Sequence, residues 1–265
     1  MRESSQSAQL IAGAEAVFLD WDGCLADSDG LLPGARELLL ALGRRAYILS
    51  NNSTDLPQDL QRRLGAAHVQ MEKGNILLAG HQTLLRQAVI SQGRPVHLVA
   101  NPTMTAFAAS LDMRLSHGDA DCVILLRDTS FTFDALAAAA NSARRSGHIV
   151  AANPDGAHPG PNGTIAPETG ALLAAVVACL AGAPVEVEVV GKPQPTLFRA
   201  ALSSAKVEPG RAVMIGDNRD TDGAGAASCG IPFVQVDPRG PTTMAVLATE
   251  VDLALSQFSR TAGLR

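Results

Sequence analysis

The run Ala16-Val17-Phe18-Leu19 passes without a break into Asp20-Trp21-Asp22-Gly23. Four consecutive apolar residues suit a strand buried on both faces, as in a parallel sheet. Side chains two apart on an extended chain point the same way, so Asp20 and Asp22 can face one pocket while Trp21 turns away. Gly23 then lets the backbone turn sharply. Two carboxylates this close cannot both ionise freely in a low-dielectric site; one takes up a proton or a cation sits between them. That divides the labour between a nucleophile or metal ligand and an acid/base. A solvated helix-capping pair is the plainer alternative at this point.

Outward from this stretch, short apolar runs alternate with Ala/Leu-rich helical segments, the pattern of an α/β fold with a parallel sheet flanked by helices. Pro33-Gly34 opens a helix through about Leu42, Ala46–Leu49 is a second strand, Ala212–Ile215 a third and Pro232–Val236 a fourth. The first three end on Asp20, Ser50 and Gly216-Asp217. Ligands of open α/β sheets bind beyond the carboxyl ends of the strands, so these polar ends predict one site assembled from distant sequence. Between about residues 75 and 184 the alternation restarts. Strands are predicted at Val96–Val99, Cys122–Leu126 and His148–Ala151, and helices near Asn75–Gln92, Phe133–Ser146 and Gly170–Leu180. This stretch is long enough to be an inserted domain.

Composition narrows the function. Of the 265 residues 46% are hydrophobic and 18% charged, which excludes wholesale disorder. The net charge of −5 supplies no basic field for nucleic acid or anionic lipid, and 3% aromatics leave little for base stacking. No nucleic-acid partner and no membrane partner are therefore expected. Cys24, Cys122, Cys179 and Cys229 form no CxxC pair and read as reduced thiols of a cytoplasmic protein. The opening residues make a poor signal peptide, because Glu15 interrupts their apolar stretch. The uncharged run Thr169–Val185 contains Gly and Pro and falls short of the roughly 20 apolar residues of a bilayer span.

Three further segments carry chemistry. In Ser50-Asn51-Asn52-Ser53, hydroxyl, amide and backbone N–H groups can hold phosphate oxygens. Ser50 at the strand tip is the better ligand, and Ser53 reads as a helix cap. Gly191-Lys192-Pro193 follows the apolar-rich run Val185–Val190 and places a compact charge at a strand end. It is no Walker loop, since Glu186 stands at the first glycine position and Pro193 at the Ser/Thr position. Gly216-Asp217-Asn218-Arg219-Asp220-Thr221-Asp222-Gly223 is the densest acidic cluster and suits a hard cation such as magnesium better than zinc. The glycines from Gly223 onward read as close helix packing instead of a dinucleotide fingerprint, because an Asp-lined turn would repel pyrophosphate.

Together, DxDG, the strand-end Ser, the strand-end Lys and GDxxxTD resemble the four motifs of the haloacid dehalogenase-like (HAD) hydrolases. The resemblance is to subfamily IIA with a large α/β cap, the NagD-like, p-nitrophenyl phosphatase, phosphoglycolate phosphatase and pyridoxal phosphatase group, and runs from about Ala16 to Asp237. It implies a Rossmann-like three-layer core, discontinuous over 1–75 and 185–265, and an α/β cap over 76–184 for substrate selection. It further implies Asp20 as nucleophile forming an aspartyl-phosphate and Asp22 as general acid/base. Mg2+ would be held by Asp20, Asp217 and the carbonyl of Asp22. Ser50, Asn51 and Lys192 would bind phosphate, with Asp222 and Asn218 in support. Asn153-Pro154-Asp155 is similar to the group's cap-loop signature, making Asn153 and Asp155 candidate substrate contacts.

The chain departs from the group's pattern at Pro167-Glu168-Thr169-Gly170, where a Pro-Gly-x-Gly-like stretch is usual. His158, in the Gly/Pro-rich segment 156–161, is a further candidate contact, with a plain surface turn as the alternative. The leading expectation is a magnesium-dependent phosphatase acting on a small phosphate monoester, with a homodimer admitted as its assembly. The alternatives are a phosphomutase of the same superfamily and a receiver-like phospho-acceptor or interaction protein. Schiff-base phosphonate cleavage is disfavoured, as no Lys lies between Gly74 and Val190.

Overall fold

The computed structural model describes residues 5–27, 30–159, 164–237, 240 and 242–262. The chain divides into two compact units, one formed by the residues up to Ser50, Gln58–Leu77 and those from Pro193 on, the other by Asn51–Pro57 and Leu78–Lys192.

The first unit is organised by β1, Ala16–Leu19, whose four residues are all buried. It pairs in parallel with β4, Ala46–Ser50, on one side and with β12, Ala212–Gly216, on the other. β5, Ile76–Leu78, lies beyond β4, and β13, Phe233–Gln235, pairs in parallel with β12, giving the order β13-β12-β1-β4-β5. The chain builds outward from β1 to one edge, leaves, and returns to fill the other side. β1 with its two neighbours is therefore the place where strand order reverses, the usual seat of a ligand in such sheets.

Alternate residues of these strands serve opposite faces. Ala16, Phe18, Leu49, Ala212 and Met214 pack with Leu197, Phe198 and Ala201 of α8, Pro195–Ala205, and with Ala226 of α9, Ala224–Ser228. Tyr47 meets Phe18 edge to face, centroids 5.9 Å apart. Fully burying a side chain of this size stabilises by roughly 1.5–3 kcal/mol. Val17, Leu19, Ile48, Val213 and Ile215, on the other face, are as completely buried. Helices α1, Gln6–Gly13, α2, Ala35–Leu42, and α10, Met244–Ala262, pack against one another in this unit. Helix α3, Pro57–Ala66, and the hairpin of β2, Ala26–Asp27, with β3, Gly30–Leu31, complete the unit.

The second unit carries its own four-stranded parallel sheet, in the order β11-β8-β7-β6. The strands are β6, His97–Val99, β7, Val123–Leu125, β8, His148–Ala151, and β11, Glu186–Val189. One face packs with α4, Ala79–Ser91, and α5, Pro102–Ser110, through Leu84, Met104 and Ala108. The other packs with α6, Phe133–Ser146, and α7, Thr169–Cys179, through Ala139, Ala143 and Val176. An antiparallel hairpin of β9, Ala157–Pro159, and β10, Ile165–Pro167, precedes α7.

Three expectations differ from the structure, the first being that Ser53, expected to cap a helix, is buried and its hydroxyl oxygen accepts from Arg127 N–H at 3.1 Å and lies 2.9 Å from Thr169 Oγ1. Ile76-Leu77-Leu78 begins the segment expected to be helical but forms β5, with Asn75 Nδ2 donating to Ala46 O at 3.0 Å at the start of β4. The segment 185–192, expected with the core, pairs through β11 with β8 and belongs to the second sheet, and Asn51–Pro57 also falls in the second unit. Among the described residues no helix is long and apolar enough to cross a membrane.

Candidate active site

In the first unit, the carboxyl ends of β1, β4 and β12 bring the acidic motifs together. Asp20 N–H donates to Ile215 O at 2.9 Å, so the strand register continues into Asp20 and sets it beside Gly216. Asp20, Asp217 and Asp222 each offer a carboxylate oxygen within 4.8 Å of the others. Asp20 and Trp21 are buried, while Asp22 is exposed. The Ser50 hydroxyl, 1% exposed, donates to Asp22 Oδ2 at 3.3 Å. Asp20, Asp22, Ser50, Asp217 and Asp222 thus belong to one unit.

Backbone shape makes this convergence feasible. Gly23 has φ +82°, and a Cβ there would stand 2.8 Å from Asp217 Oδ2. The acidic motif closes in a π-helical turn, Arg219–Gly223, and π turns often mark functional sites. Asn218 Oδ1 accepts from Asp220 N–H at the start of this turn, while Asn218 N–H donates to Asp222 Oδ2 at 3.3 Å. Asn218 is therefore a cap that shapes the loop. Asp222, expected only in support, is fully buried and offers its oxygen to the acidic cluster itself. Gln235, which no sequence signal marks, donates from Nε2 to Asp217 O at 3.1 Å and accepts from Arg219.

Three carboxylate oxygens so close repel one another unless a cation or a proton intervenes. An all-oxygen donor set suits a hard divalent ion such as Mg2+, Ca2+ or Mn2+ over a thiolate- or imidazole-seeking metal. The residues present fit such an ion.

The remaining candidates lie in the second unit. Lys192 is 2% exposed. Asn51, expected to bind phosphate, spends its side chain elsewhere: Nδ2 donates to Asp155 Oδ2 and to Lys192 O, both at 2.9 Å, and Oδ1 accepts from Lys192 N–H at 2.7 Å. Asn153, expected to touch substrate, is 1% exposed. Its amide donates to Asn51 O and to Thr169 Oγ1 and accepts from Asp155 N–H, so it is an internal hub. Asp155 is half-buried and receives the Asn51 amide. His158, on β9, pairs through Nδ1 with Glu168 Oε1 at 2.7 Å, and Arg127 Nε stands 3.4 Å from the same oxygen. Burial raises the Glu168 carboxyl above its ordinary range, against the lowering influence of Arg127 and His158. Of the segment 156–161, Gly160 and Pro161 lie outside the described residues.

The haloacid dehalogenase-like hydrolase family matches the chain over residues 15–230. The chain is 30% identical to chronophin of Mus musculus over 275 aligned positions, which span 97% of this chain and 88% of that protein. It is 28% identical to a dihydroxyacetone phosphatase of Corynebacterium glutamicum (strain R) over 225 positions, 83% of this chain and 80% of the relative. A 4-nitrophenylphosphatase from Thermotoga maritima has a similar fold, with a TM-score of 0.80 at 24% identity over 91% of this chain and 99% of that one.

Proposed function

We propose, from the premise that this chain belongs to the haloacid dehalogenase-like hydrolases and is a phosphatase, that it hydrolyses a small phosphate monoester in two steps through Asp20. The observation that carries this reading is the convergence of Asp20, Asp217 and Asp222 beside the Ser50–Asp22 pair, all at the carboxyl ends of β1, β12 and β4.

Asp20 attacks phosphorus, forming an acyl-phosphate bond as the bond to the ester oxygen breaks. Asp22, exposed and two residues on, gives its proton to the departing oxygen. As a carboxylate it then takes a proton from water, whose oxygen attacks phosphorus and frees Asp20 and inorganic phosphate. The Ser50 hydroxyl donates to a phosphoryl oxygen, and the Lys192 ammonium offsets phosphoryl charge. Phosphoryl transfer depends mainly on such placement and charge neutralisation. Asp20 and Asp217, with Asp222 in reach, would hold Mg2+, which when bound offsets the negative charge of the carboxylates and the phosphoryl group. The second unit, which also carries Lys192, is assigned the selection of the leaving group.

The test is hydrolysis of p-nitrophenyl phosphate by wild type with magnesium, by wild type with excess EDTA, and by Asp20→Asn. Release that requires metal and disappears in Asp20→Asn supports the reading. Release that survives Asp20→Asn rejects it. A screen of natural esters would begin with dihydroxyacetone phosphate, the compound named for the Corynebacterium glutamicum relative.

A further inference from the structure

The segment Asn51–Pro57 is the one stretch of the second unit not continuous with the rest of it, and it runs across the carboxyl ends of that unit's strands. Beyond β6, Asn101 Nδ2 donates to Thr54 O at 3.0 Å; beyond β7, Arg127 N–H donates to Ser53 Oγ at 3.1 Å; beyond β8, Asn153 Nδ2 donates to Asn51 O at 2.7 Å. Beyond β11 the Asn51 carboxamide meets the main chain of Lys192 on both sides.

We propose that Asn51 is a positioning residue for Lys192, and that Asn153 and Asp155 hold Asn51 to that task. The proposal rests on the reading of Lys192 as the cation that offsets phosphoryl charge. A carboxamide has two donor hydrogens and an acceptor oxygen. Here Oδ1 takes Lys192 N–H, one hydrogen goes to Lys192 O and the other to Asp155 Oδ2. Bonding both polar groups of a single residue fixes the direction in which its Cα–Cβ bond leaves the chain. A lysine ammonium sits on a flexible four-carbon stem with many rotamers, so a fixed root narrows where its charge can go.

The fit at Gly191 is a second, independent observation. A Cβ there would lie 2.5 Å from Asn51 Oδ1 and 2.7 Å from Ala152 O, so the residue before Lys192 must be glycine for the carboxamide to dock. The partners of Asn51 are themselves held: Asn153 is 1% exposed, and its Oδ1 takes Asp155 N–H at 3.1 Å. An aspartate at 51 would offer no donor to Lys192 O and would set a carboxylate against Asp155.

The experiment is a double-mutant cycle on magnesium-dependent p-nitrophenyl phosphate turnover, using Lys192→Ala, Asn51→Ala and the double variant, with circular dichroism confirming each fold. Asn51→Ala is expected to lower kcat by roughly tenfold to a hundredfold, the scale of an ångström's misplacement, with a smaller change in KM. In the Lys192→Ala background the same change should cost almost nothing, because the partner through which it acts is gone. Losses that multiply, with Lys192→Ala itself nearly inactive, overturn the positioning role and leave the reading of Lys192 standing. Full turnover in Lys192→Ala overturns both. Should Asn51→Ala fail to fold, Asn51→Asp combined with Asp155→Asn restores a donor–acceptor pair between the two side chains. That pair of changes should recover part of the kcat lost in Asn51→Asp alone, and no recovery counts against the proposal.

Discussion

Asp222 lies so close over Gly216 that a Cβ on Gly216 would stand 2.1 Å from Asp222 Oδ2. Gly216 ends β12, and the π-helical turn Arg219–Gly223 folds Asp222 back against that strand end, where it joins Asp20 and Asp217. The absent side chain is thus the space in which the acidic cluster closes. Gly216→Ala should push the Asp222 carboxylate away and weaken magnesium activation by roughly tenfold to a hundredfold, the usual cost of disturbing a metal site's surroundings. A magnesium titration of turnover reads this directly. An unchanged activation midpoint in a folded variant would detach Asp222 from the ion.

Asp22 and Ser50 give a second expectation, because the two steps of the proposed mechanism would ask different things of Asp22. Nitrophenolate leaves as a stable anion, so Asp20 can be phosphorylated by p-nitrophenyl phosphate without help from an acid. Hydrolysis of the acyl phosphate still needs a base. Asp22→Asn keeps the shape and can still accept from the Ser50 hydroxyl, 3.3 Å away in the wild type, yet takes no proton from water. A burst of nitrophenolate equal to the enzyme concentration, followed by turnover slower by about two to four orders of magnitude, is expected in rapid mixing. Alkyl phosphates, which leave as poor anions, should give no burst. A variant with no burst and equal losses on both classes would remove Asp22 from the acid/base role.

Packing in the first unit supplies a check that leaves the chemistry alone. Gly225, in α9, faces Phe198 of α8, where a Cβ would stand 2.2 Å from a ring carbon and 3.0 Å from Pro193 O. The glycine serves close helix contact, which is how the glycines from Gly223 onward read in the sequence. Gly225→Ala should destabilise the protein by about 1–3 kcal/mol, the usual cost of overfilling a packed core. Urea unfolding followed by the fluorescence of Trp21, the single tryptophan, would measure it. Turnover per folded molecule should stay within twofold. A variant as stable as wild type would show that Phe198 has room to rotate away.

The readable parts of this chain share a physical cause. Parallel strands buried on both faces must be continuous apolar runs, so Ala16–Leu19, Ala46–Leu49 and Ala212–Ile215 announce themselves, and Asp20, Ser50 and, one residue on after Gly216, Asp217 mark their carboxyl ends. β5 was hidden because Ile76-Leu77-Leu78 runs into the helix Ala79–Ser91 with no breaker between them, and only pairing in the sheet separates the two. Helix α10, for which the sequence reading makes no prediction, buries Leu247, Val251 and Ala254 at helical spacing. At the site, the charges at the strand ends single out Asp20 and Asp217, whose carboxylates lie close together in the structure. Residue type leaves two uses open at Asn51 and Asn153, whose amides serve equally well as ligand donors or internal braces. Their partners lie about a hundred residues away in sequence, and nothing local distinguishes the two uses. The π turn that brings Asp222 to the acidic cluster has no local sequence signature.

The second unit should also sense acid. His97 is 2% exposed, and burial, with His117 and Arg145 nearby, pushes it down to about 4; burial pushes His81, stacked on Phe107, to about 4 as well. The hydrogen bonds around His97 suit the neutral ring. The Ser142 hydroxyl donates to His117 O, so its oxygen accepts from His97 Nδ1–H at 2.8 Å, and His97 Nε2 is left to accept from His117 Nδ1–H at 3.3 Å. A proton on Nε2 would face that donor. In the unfolded chain both imidazoles protonate near 6.5, so between about pH 6.5 and 4 the unfolded state binds protons that the folded state refuses. Stability from these groups is therefore fully present above about pH 6.5, falls as the pH drops towards 4, and is flat below that. Each full shift is worth up to about 3 kcal/mol at 1.36 kcal/mol per pH unit. Urea midpoints by circular dichroism should decline across this window in wild type. His97→Asn, whose amide can still donate to Ser142, should decline less steeply. A variant that keeps the wild-type slope would take His97 out of the acid response.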